Sequence, residues 1–580
     1  IILISMANPK LFRTIDRAVF DYKMIEEGDR ILLAASGGKD STALAEYFSM
    51  RLKRPSPRFQ VHAMHIATDV APPLSPDLIK MFENWNIPLT IKTVSVLGRL
   101  KPNEKMNCWW CSTQRRTELN KFAMEEGFNK IALGHHLDDI LETLLMNSLE
   151  KGKMIDQLRL WSPNTALLVD TKGPELRTVP NGDDLEVRAG EPIELYGDLQ
   201  GISRDNKLYL TSDRFLETIQ VGSHVLVDDG SLELLVVEKG ISSVTCLSQT
   251  DGIIKRRKSV NIPGIPIDLP TLSERDEKFL CVAATKRVEF IAHSFVRTRE
   301  DILRVQDFLR SQGSNAKIIA KIENQQGIDN IDQILDHAYG IMVARGDLGI
   351  EIPGECVPPA QRMIVKKCIE SKKPVIIATQ MLHSMIENPR PTRAEISDVA
   401  NAIYQRTDAI MLSGETANGR YPLEAVQTMV RIAEEIEKHI PKDLDQKLHR
   451  VSNPLTETLA RAAVRACESM PIRAIIADTL TGRTARYLSA FRGQIPVYAI
   501  CYREHVMREL SLSYGIKPMY MERHSSRDAF ITASLQTLLR KDKIKLDDYI
   551  LLLGGSFGVT NGASFVEICQ VQSILETIAD

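Results

Sequence analysis

An α/β protein is predicted, in three successive parts. A fragment built on a glycine-rich nucleotide loop comes first, then an incomplete TIM-type β/α barrel carrying a small inserted β-barrel, then a C-terminal α/β domain. Three observations predict it. Residues 30–41 pass from a buried strand pattern through glycines into a helical pattern. From residue 166, short continuous apolar runs alternate with helical stretches, as a parallel sheet covered on both faces requires. Between the first two of those runs lies a stretch of alternating strands and turns, and a second strand–helix series closes the chain.

The size and composition agree with that division. A chain of 580 residues exceeds one hydrophobic core and suits three or four domains. Hydrophobic content of 43% with 26% charge is that of a soluble globular protein. The net charge of −2 splits as roughly +3 over residues 1–154 and roughly −5 beyond, which gives no charge-based argument for nucleic acid. Nine cysteines are scattered apart from Cys108 and Cys111, so a reducing, cytoplasmic setting is expected rather than a disulfide scaffold. No apolar run reaches membrane-spanning length, and no membrane partner is expected. The opening Ile1-Ile2-Leu3-Ile4 lacks the charged lead and length of a signal peptide. With Met6 close behind, it is expected to be an upstream extension or a processed end.

The first element is the strand Arg30–Ala35, followed by Ser36-Gly37-Gly38-Lys39-Asp40-Ser41 and a helix through Ala43, Leu44 and Phe48. Glycines let backbone N–H groups approach a phosphate, and the helix dipole favours its charge. The spacing is not that of a Walker A loop. The string resembles the PP-loop of ATP pyrophosphatases, and more specifically the tRNA 2-thiocytidine thiolase group. That likeness runs from about Asp21 to Met154 and includes Cys108-Trp109-Trp110-Cys111 and Leu133-Gly134-His135-His136-Leu137-Asp138-Asp139. It implies that Ser36, Gly37, Gly38, Lys39, Asp40 and Ser41 contact ATP phosphates and that Cys108 and Cys111 are ligands of an iron–sulfur cluster. Two thiolates do not hold a cluster, and the chain leaves the thiolase pattern at about residue 154. Cys108 and Cys111 are therefore expected to be a cluster remnant, with no cluster and no tRNA partner.

The later runs are Ala166–Asp170, Phe290–Ser294, Ile318–Glu323, Ile341–Arg345, Val375–Thr379 and Ala409–Leu412. Asp170, Lys321, Glu323, Asp347, Thr379 and Glu415 all fall where these runs end, as catalytic groups of a TIM barrel do. Val179–Ile262 holds short strands and turns such as Asn181-Gly182-Asp183 and Asp228-Asp229-Gly230, which reads as the inserted β-barrel. Ala474–Ala477, Val497–Ile500 and Tyr549–Leu553, with helices between, form the last domain. The expected division is 1–154, then 155–178 with 263–440 for the barrel, 179–262 for the insertion, and 441–580.

In Lys321-Ile322-Glu323 the strand period of two turns both charged side chains to one face. One strand thus presents a cation for a phosphoryl group and an oxygen ligand for a metal. Asp347, at the end of the next strand, supplies a second carboxylate, and two carboxylates plus substrate oxygens suit Mg²⁺. A merely structural Lys321–Glu323 pair is the alternative.

Taken in order, Asp170-Thr171-Lys172-Gly173-Pro174-Glu175, Ile319-Ala320-Lys321-Ile322-Glu323-Asn324, Ala344-Arg345-Gly346-Asp347-Leu348-Gly349, Ala378-Thr379-Gln380-Met381 and Ser413-Gly414-Glu415-Thr416 resemble the pyruvate kinase family. The resemblance covers about residues 160–580. It implies phosphoryl transfer from phosphoenolpyruvate to ADP, giving pyruvate and ATP. By the same resemblance Lys321 stabilises the transferring phosphoryl group, Glu323 and Asp347 bind Mg²⁺, and Gly346, Asp347 and Thr379 hold substrate. Thr379 also lies near the enolate proton transfer, Asp170 and Thr171 belong to a K⁺ site, and Arg177 and Lys258 face the nucleotide. A hydroxyl-rich loop in the last domain, Thr479, Thr481, Gly482, Arg483 and Thr484, matches the place where family members bind a phosphorylated allosteric effector; an ordinary helix start is the alternative. Family likeness implies a homotetramer.

The family's first two strands, reading roughly T-K-I-x-x-T-I-G-P and R-L-N-F-S-H-G, are not found in the chain. With them go a substrate-clamping arginine and the asparagine and serine of the K⁺ site. The leading expectation is a pyruvate kinase joined to foreign N-terminal sequence and impaired by the lost strands. Substitution of the lost strands by the front part is a second reading. A PP-loop ATP-binding, tRNA-thiolation-type protein with a non-catalytic C-terminal portion is the alternative from a different class.

Overall fold

The architecture is given by a computed structural model. It describes residues 19, 24–37, 39–70, 74–99, 108–133, 148–441, 447–449, 451–524, 526–555 and 562–579. Gly38 and the string 134–139 lie outside the described residues, as do the side chains of Lys39, Asp40, Cys108 and Cys111. The chain divides into two compact units, residues 1–143 and 144–580. Among the described residues no helix is long and apolar enough to cross a membrane.

In the first unit, β1 (Arg30–Ala34), β2 (Gln60–Thr68), β3 (Leu89–Val94) and β4 (Lys130–Leu133) form a parallel sheet of order β3-β2-β1-β4. β1 is central, which explains its continuous buried run Ile31-Leu32-Leu33. It ends at the glycine-rich loop, and the helix Lys39–Arg51 starts directly beyond.

The second unit opens with the helix Ser148–Trp161 and β5 (Leu168–Asp170). The chain then leaves the barrel for the insertion. Its strands are β6 (Leu185–Val187), β7 (Pro192–Gly197), β8 (Lys207–Leu210), β9 (His224–Val227), β10 (Leu232–Lys239), β11 (Ser243–Ser248), β12 (Gly252–Ile254) and β13 (Val260–Asn261). Six of them form one sheet of order β13-β9-β10-β11-β7-β8, and β12 pairs with β6. Alternation along β9, β10 and β11 sends Val225, Val227, Leu232, Leu234, Val236, Val244 and Cys246 into a core of their own.

Back in the barrel come β14 (Phe290–His293), β15 (Lys317–Ile322), β16 (Gly340–Ala344), β17 (Val375–Ala378) and β18 (Ala409–Ile410). With β5 they make a six-stranded parallel sheet of order β18-β17-β16-β15-β14-β5. These six strands coincide with the six apolar runs, each shorter than or shifted slightly from its run because the final residues turn into loops. Ser273 and Thr392 cap the helices Glu274–Thr285 and Arg393–Tyr404 through reciprocal capping boxes with Asp276 and Glu395. Outward residues such as Ile291, Ile318, Ile322, Val343 and Ile377 pack under the helices, while Phe290, Ala292, Ile319, Met342, Ile376 and Ala378 fill the interior.

The C-terminal sheet holds β19 (Ile472–Thr479), β20 (Val497–Cys501), β21 (Ile516–Tyr520), β22 (Tyr549–Gly554) and β23 (Phe565–Gln570), ordered β21-β20-β19-β22-β23 with β23 antiparallel. β21 and β23, the two edges, are additions to the expected runs. β21 carries Lys517 and Pro518, which an edge tolerates and a central strand does not. The domain is fixed to the barrel by buried ion pairs. Arg492 holds both oxygens of Asp408 at 2.8 and 2.6 Å, and Arg508 and Arg159 share Glu289 at 2.7 and 2.5 Å.

Candidate active site

The site is assembled where β14, β15, β16 and β17 end. Lys321 is the penultimate residue of β15, and its ammonium stands 3.0 Å from Glu323 Oε1 and 3.3 Å from Asp170 Oδ2. It also donates to Ser294 Oγ at 2.8 Å. Glu323 is fully buried, and its other oxygen accepts the Phe295 N–H at 2.7 Å. Phe295 adopts φ +54° to present that N–H, an uncommon conformation for a bulky residue. Ser294 in turn donates to the Thr171 carbonyl at 2.7 Å. Three neighbouring strands thus converge on one lysine.

Charge in this cluster is unevenly balanced. Burial works against the Lys321 ammonium, but the carboxylates of Glu323 and Asp170 outweigh it and hold its pKa above the usual lysine range. Burial pushes Glu323 up to about 7; Lys321 opposes the shift, and the Asp347 charge adds to it. Burial raises Asp347 too, partly offset by Lys321 and reinforced by Asp229 and Glu175. Glu323 Oε1 is buried and near Lys321, yet not aligned with it as a hydrogen bond. The pair of carboxylates therefore has more negative charge than one lysine neutralises, which is the donor set a divalent cation satisfies. Among the described residues, no group of three or more His, Cys, Asp or Glu could hold a metal by itself.

Asp347 and Gly346 sit in the short helix Arg345–Glu351 after β16. The Gly346 N–H donates to Thr379 Oγ1 at 2.8 Å. Thr379, directly after β17, has φ +68°, and Gln380 follows with φ +55°. Two consecutive left-handed residues, one of them β-branched, store local strain. Arg345 holds them in place: one guanidinium nitrogen binds the Thr379 carbonyl at 2.7 Å and the other Asp398 at 2.7 Å. Glu415 ties the next loop to this one by accepting from Leu382 N–H at 3.0 Å and Ser413 N–H at 2.8 Å.

A cleft of about 580 Å³ opens beside the cluster, lined by Arg177, Asp229, Phe295, Asn324, Asp347 and Glu351 among others. It runs between the barrel and the insertion. Arg177 lines it while bonded to Glu175 and to the Arg257 carbonyl. Lys258 does not line it; its ammonium is held by Asp228 at 2.8 Å. Thr171 is buried, its hydroxyl turned to the Ala292 carbonyl and His293. In the last domain Thr479 Oγ1 accepts the Gly482 N–H at 2.9 Å, and Thr481 and Arg483 are exposed. Gly482 has φ +78°, and no side chain caps the helix Arg483–Ala490 that follows. In the first unit Ser36 Oγ donates to Ser41 Oγ at 3.0 Å, and Gly37 has φ +87°.

Ser294, Phe295, Arg345 and Asp398 are site residues that sequence reasoning assigned no role. Arg345 stands in a string of the family pattern, which is the signal that could have found it and, through its ion pair, Asp398. Ser294 and Phe295 matter only because β14 lies beside β15, which no local pattern announces.

A lysine and two carboxylates on adjacent strand ends of a β/α barrel, beside a cleft under an inserted domain, define a phosphoryl-transfer enzyme. The chain belongs to the pyruvate kinase family. The family model described as pyruvate kinase, barrel domain, matches residues 113–426, and that for the pyruvate kinase alpha/beta domain matches 457–569. The pyruvate kinase of Borreliella burgdorferi is 43% identical over 429 residues, 73% of this chain and 90% of that protein. That of Bacillus licheniformis is 40% identical over 475 residues, 80% of this chain and 79% of the relative. A crystal structure of a pyruvate kinase from Cryptosporidium parvum superposes with a TM-score of 0.68 at 32% identity, covering 73% of this chain and 88% of that one. A PP-loop domain model matches residues 8–166, so the two likenesses overlap between 113 and 166.

Proposed function

We propose that the second unit transfers the phosphoryl group of phosphoenolpyruvate to ADP, forming pyruvate and ATP. The observation that carries the reading is the Lys321 ammonium held between Glu323 and Asp170 with Asp347 beside them. Phosphoryl transfer asks for positioning and charge neutralisation more than covalent help. Lys321 supplies a fixed positive charge for the phosphoryl oxygens as they pass from donor to acceptor. Glu323 and Asp347 would hold Mg²⁺, and the excess carboxylate charge fits that ion. When bound, the ion neutralises phosphate charge and aligns donor with acceptor. Thr379 and the backbone at Gly346 and Asp347 orient the substrate, with the Thr379 hydroxyl near the carbon that gains a proton.

Arg177 is the nucleotide-facing residue the cleft favours, and Lys258 serves that role only after releasing Asp228. Asp170 and Thr171 remain the candidates for a K⁺ site, and Thr479, Thr481, Gly482, Arg483 and Thr484 for a phosphorylated effector. A homotetramer and a cytoplasmic setting belong to the same proposal, as do the boundaries at 154, 178, 262 and 440. For the first unit, the PP-loop match supports ATP binding at Ser36–Ser41 as a separate capacity.

The test is phosphoenolpyruvate-dependent ATP formation by the purified full chain, compared with Lys321→Met. Turnover that needs Mg²⁺ and vanishes in the variant supports the reading. Equal turnover in both, or none in either under saturating Mg²⁺ and K⁺, overturns it for this chain.

A further inference from the structure

The ladder that pairs β5 with β14 ends one rung early. The Thr171 N–H donates to the Ala292 carbonyl at 3.0 Å. The even spacing of a parallel ladder would next carry the Ser294 N–H to the Thr171 carbonyl. Two side chains take that rung instead. The Ser294 N–H donates to Thr171 Oγ1 at 3.1 Å, and Ser294 Oγ donates to the Thr171 carbonyl at 2.7 Å. Both residues are buried, so breaking either bond would leave a polar group unsatisfied.

This exchange fixes the hydroxyl that faces the lysine. Of the three oxygens that hold the Lys321 ammonium, Ser294 Oγ is the nearest at 2.8 Å, and it alone carries no charge. Its proton is directed to the Thr171 carbonyl, with Asp170 Oδ1 farther off at 3.5 Å, so a lone pair is left for Lys321. A carboxylate that aims the lysine also cancels part of the positive charge that phosphoryl oxygens need. A serine aims it and cancels none.

Thr171 is itself held by groups outside the site. Its hydroxyl lies 3.3 Å from the Ala292 carbonyl and 3.3 Å from Nδ1 of the buried His293. The Lys172 N–H donates to Asp276 Oδ1 at 2.8 Å, and Asp276 is fixed by its capping box with Ser273. Gly173 follows with φ +74°, and a Cβ there would stand 2.9 Å from Ser294 Cβ and from the Phe295 ring. The loop 171–173 thus grips Ser294 by two hydrogen bonds and by close packing.

We propose that Thr171 and Ser294 are positioning residues for Lys321, and that the exchanged rung between them sets where the ammonium stands. The Thr171 hydroxyl is thereby assigned to the lysine and not to a K⁺ site, for which Asp170 and the Thr171 carbonyl remain. The inference rests on the phosphoryl-transfer reading, because a shift of about 1 Å in a group aimed at the reacting atoms costs as much as about a hundredfold in rate.

Three variants test it. Thr171→Val keeps the shape and loses the hydroxyl, Thr171→Ser keeps the hydroxyl, and Ser294→Ala removes the oxygen that Lys321 meets. Crystal structures report the lysine directly, and kinetics at saturating Mg²⁺ and K⁺ report the reaction. In Thr171→Val and Ser294→Ala, Lys321 Nζ is expected to move by about 1 Å and kcat to fall by about ten- to a hundredfold, with KM for phosphoenolpyruvate within about threefold. Thr171→Ser is expected to match wild type in both readouts. The double variant Thr171→Val, Ser294→Ala is expected to lose no more than about twofold beyond the worse single, since both act through one contact. Should Thr171→Val not fold, Ser294→Ala carries the test, because it leaves the backbone bonds in place.

A Lys321 ammonium that stays in place in Thr171→Val and Ser294→Ala overturns the proposal. So does a Thr171→Ser as poor as Thr171→Val, or losses that multiply in the double variant. A loss in Thr171→Val that higher K⁺ restores also overturns it, since the hydroxyl then serves the cation. A displaced ammonium with no turnover even in the wild type upholds the positioning and counts against the catalytic reading. Turnover that falls while Lys321 is unmoved does the reverse.

Discussion

Lys321→Met removes the ammonium that faces Glu323 while keeping most of the side-chain volume, so its consequences follow from charge. The lysine side chain is 12% exposed and that of Glu323 is 1% exposed. Breaking a buried pair by removing one partner costs about 3–5 kcal/mol. The Asp170 contact adds little, because that carboxylate faces solvent. The cost depends on pH with a definite sign. The folded-state pKa of Glu323 is raised to about 7 from an ordinary 4.5, so its contribution to stability is full below about pH 4.5 and is lost as pH rises through 7. Loss of Lys321 raises that pKa further and deepens the loss on the alkaline side. The gap between wild type and Lys321→Met in metal-free urea unfolding is therefore widest at pH 8 and narrows toward pH 5, where Glu323 is protonated in both. Turnover with Mg²⁺ is expected to fall about a thousandfold or more, by comparison with other cations that stabilise phosphoryl transfer. A stability gap that is flat or widens toward pH 5 would refute the charge argument, and a loss of turnover under tenfold would refute the catalytic role.

Three further outcomes are expected. Mg²⁺ should raise the unfolding temperature of the wild type more at pH 8 than at pH 6, since the ion competes with the proton on Glu323; Glu323→Gln should abolish the increment. Thr379→Gly relieves a left-handed β-branched residue but deletes the hydroxyl that accepts the Gly346 N–H, so stability in urea should stay within about 1 kcal/mol of wild type while kcat falls, whereas Thr379→Ser keeps most activity. Arg492→Met leaves Asp408 buried without its partner and should cost about 3–5 kcal/mol; the urea midpoint should recover in large part when Asp408→Asn is added.

Much of this architecture is legible in the amino-acid sequence. The six barrel strands announce themselves because a parallel strand buried on both faces is apolar throughout, and Ile318–Ala320 or Val375–Ala378 admit few other readings. Lys321 and Glu323 are placed on one face by the strand period alone, and the structure puts their charges 3.0 Å apart. The edge strands β21 and β23 are not legible, because Lys517, Pro518 and Glu567 break the apolar run wherever one side of a strand meets solvent. The supporting residues are also hidden. Ser294 reaches Lys321, and Phe295 reaches Glu323, across 27 and 28 residues of chain, so only the pairing of β14 with β15 creates those contacts. The strain at Thr379 is likewise invisible in a string of letters, since it is imposed by Arg345 from 34 residues away.

The inserted β-barrel has a kinetic consequence for the sheet that surrounds it. β14 through β18 are joined by short local crossovers and can pair in sequence as the chain collapses. β5 must find β14 across the whole insertion: Leu167 and Glu289, which bond at their junction, are 122 residues apart. Loop-closure entropy grows slowly with length, but contacts of such separation form late. The strand that ends at Asp170, with Thr171 directly after it, is thus expected to join the nascent sheet last, after the insertion has folded and drawn its ends together. Until then the outer edge of β14 is bare and buried apolar surface is open to other chains, so slow refolding with losses to aggregation at micromolar concentration is the behaviour this topology sets.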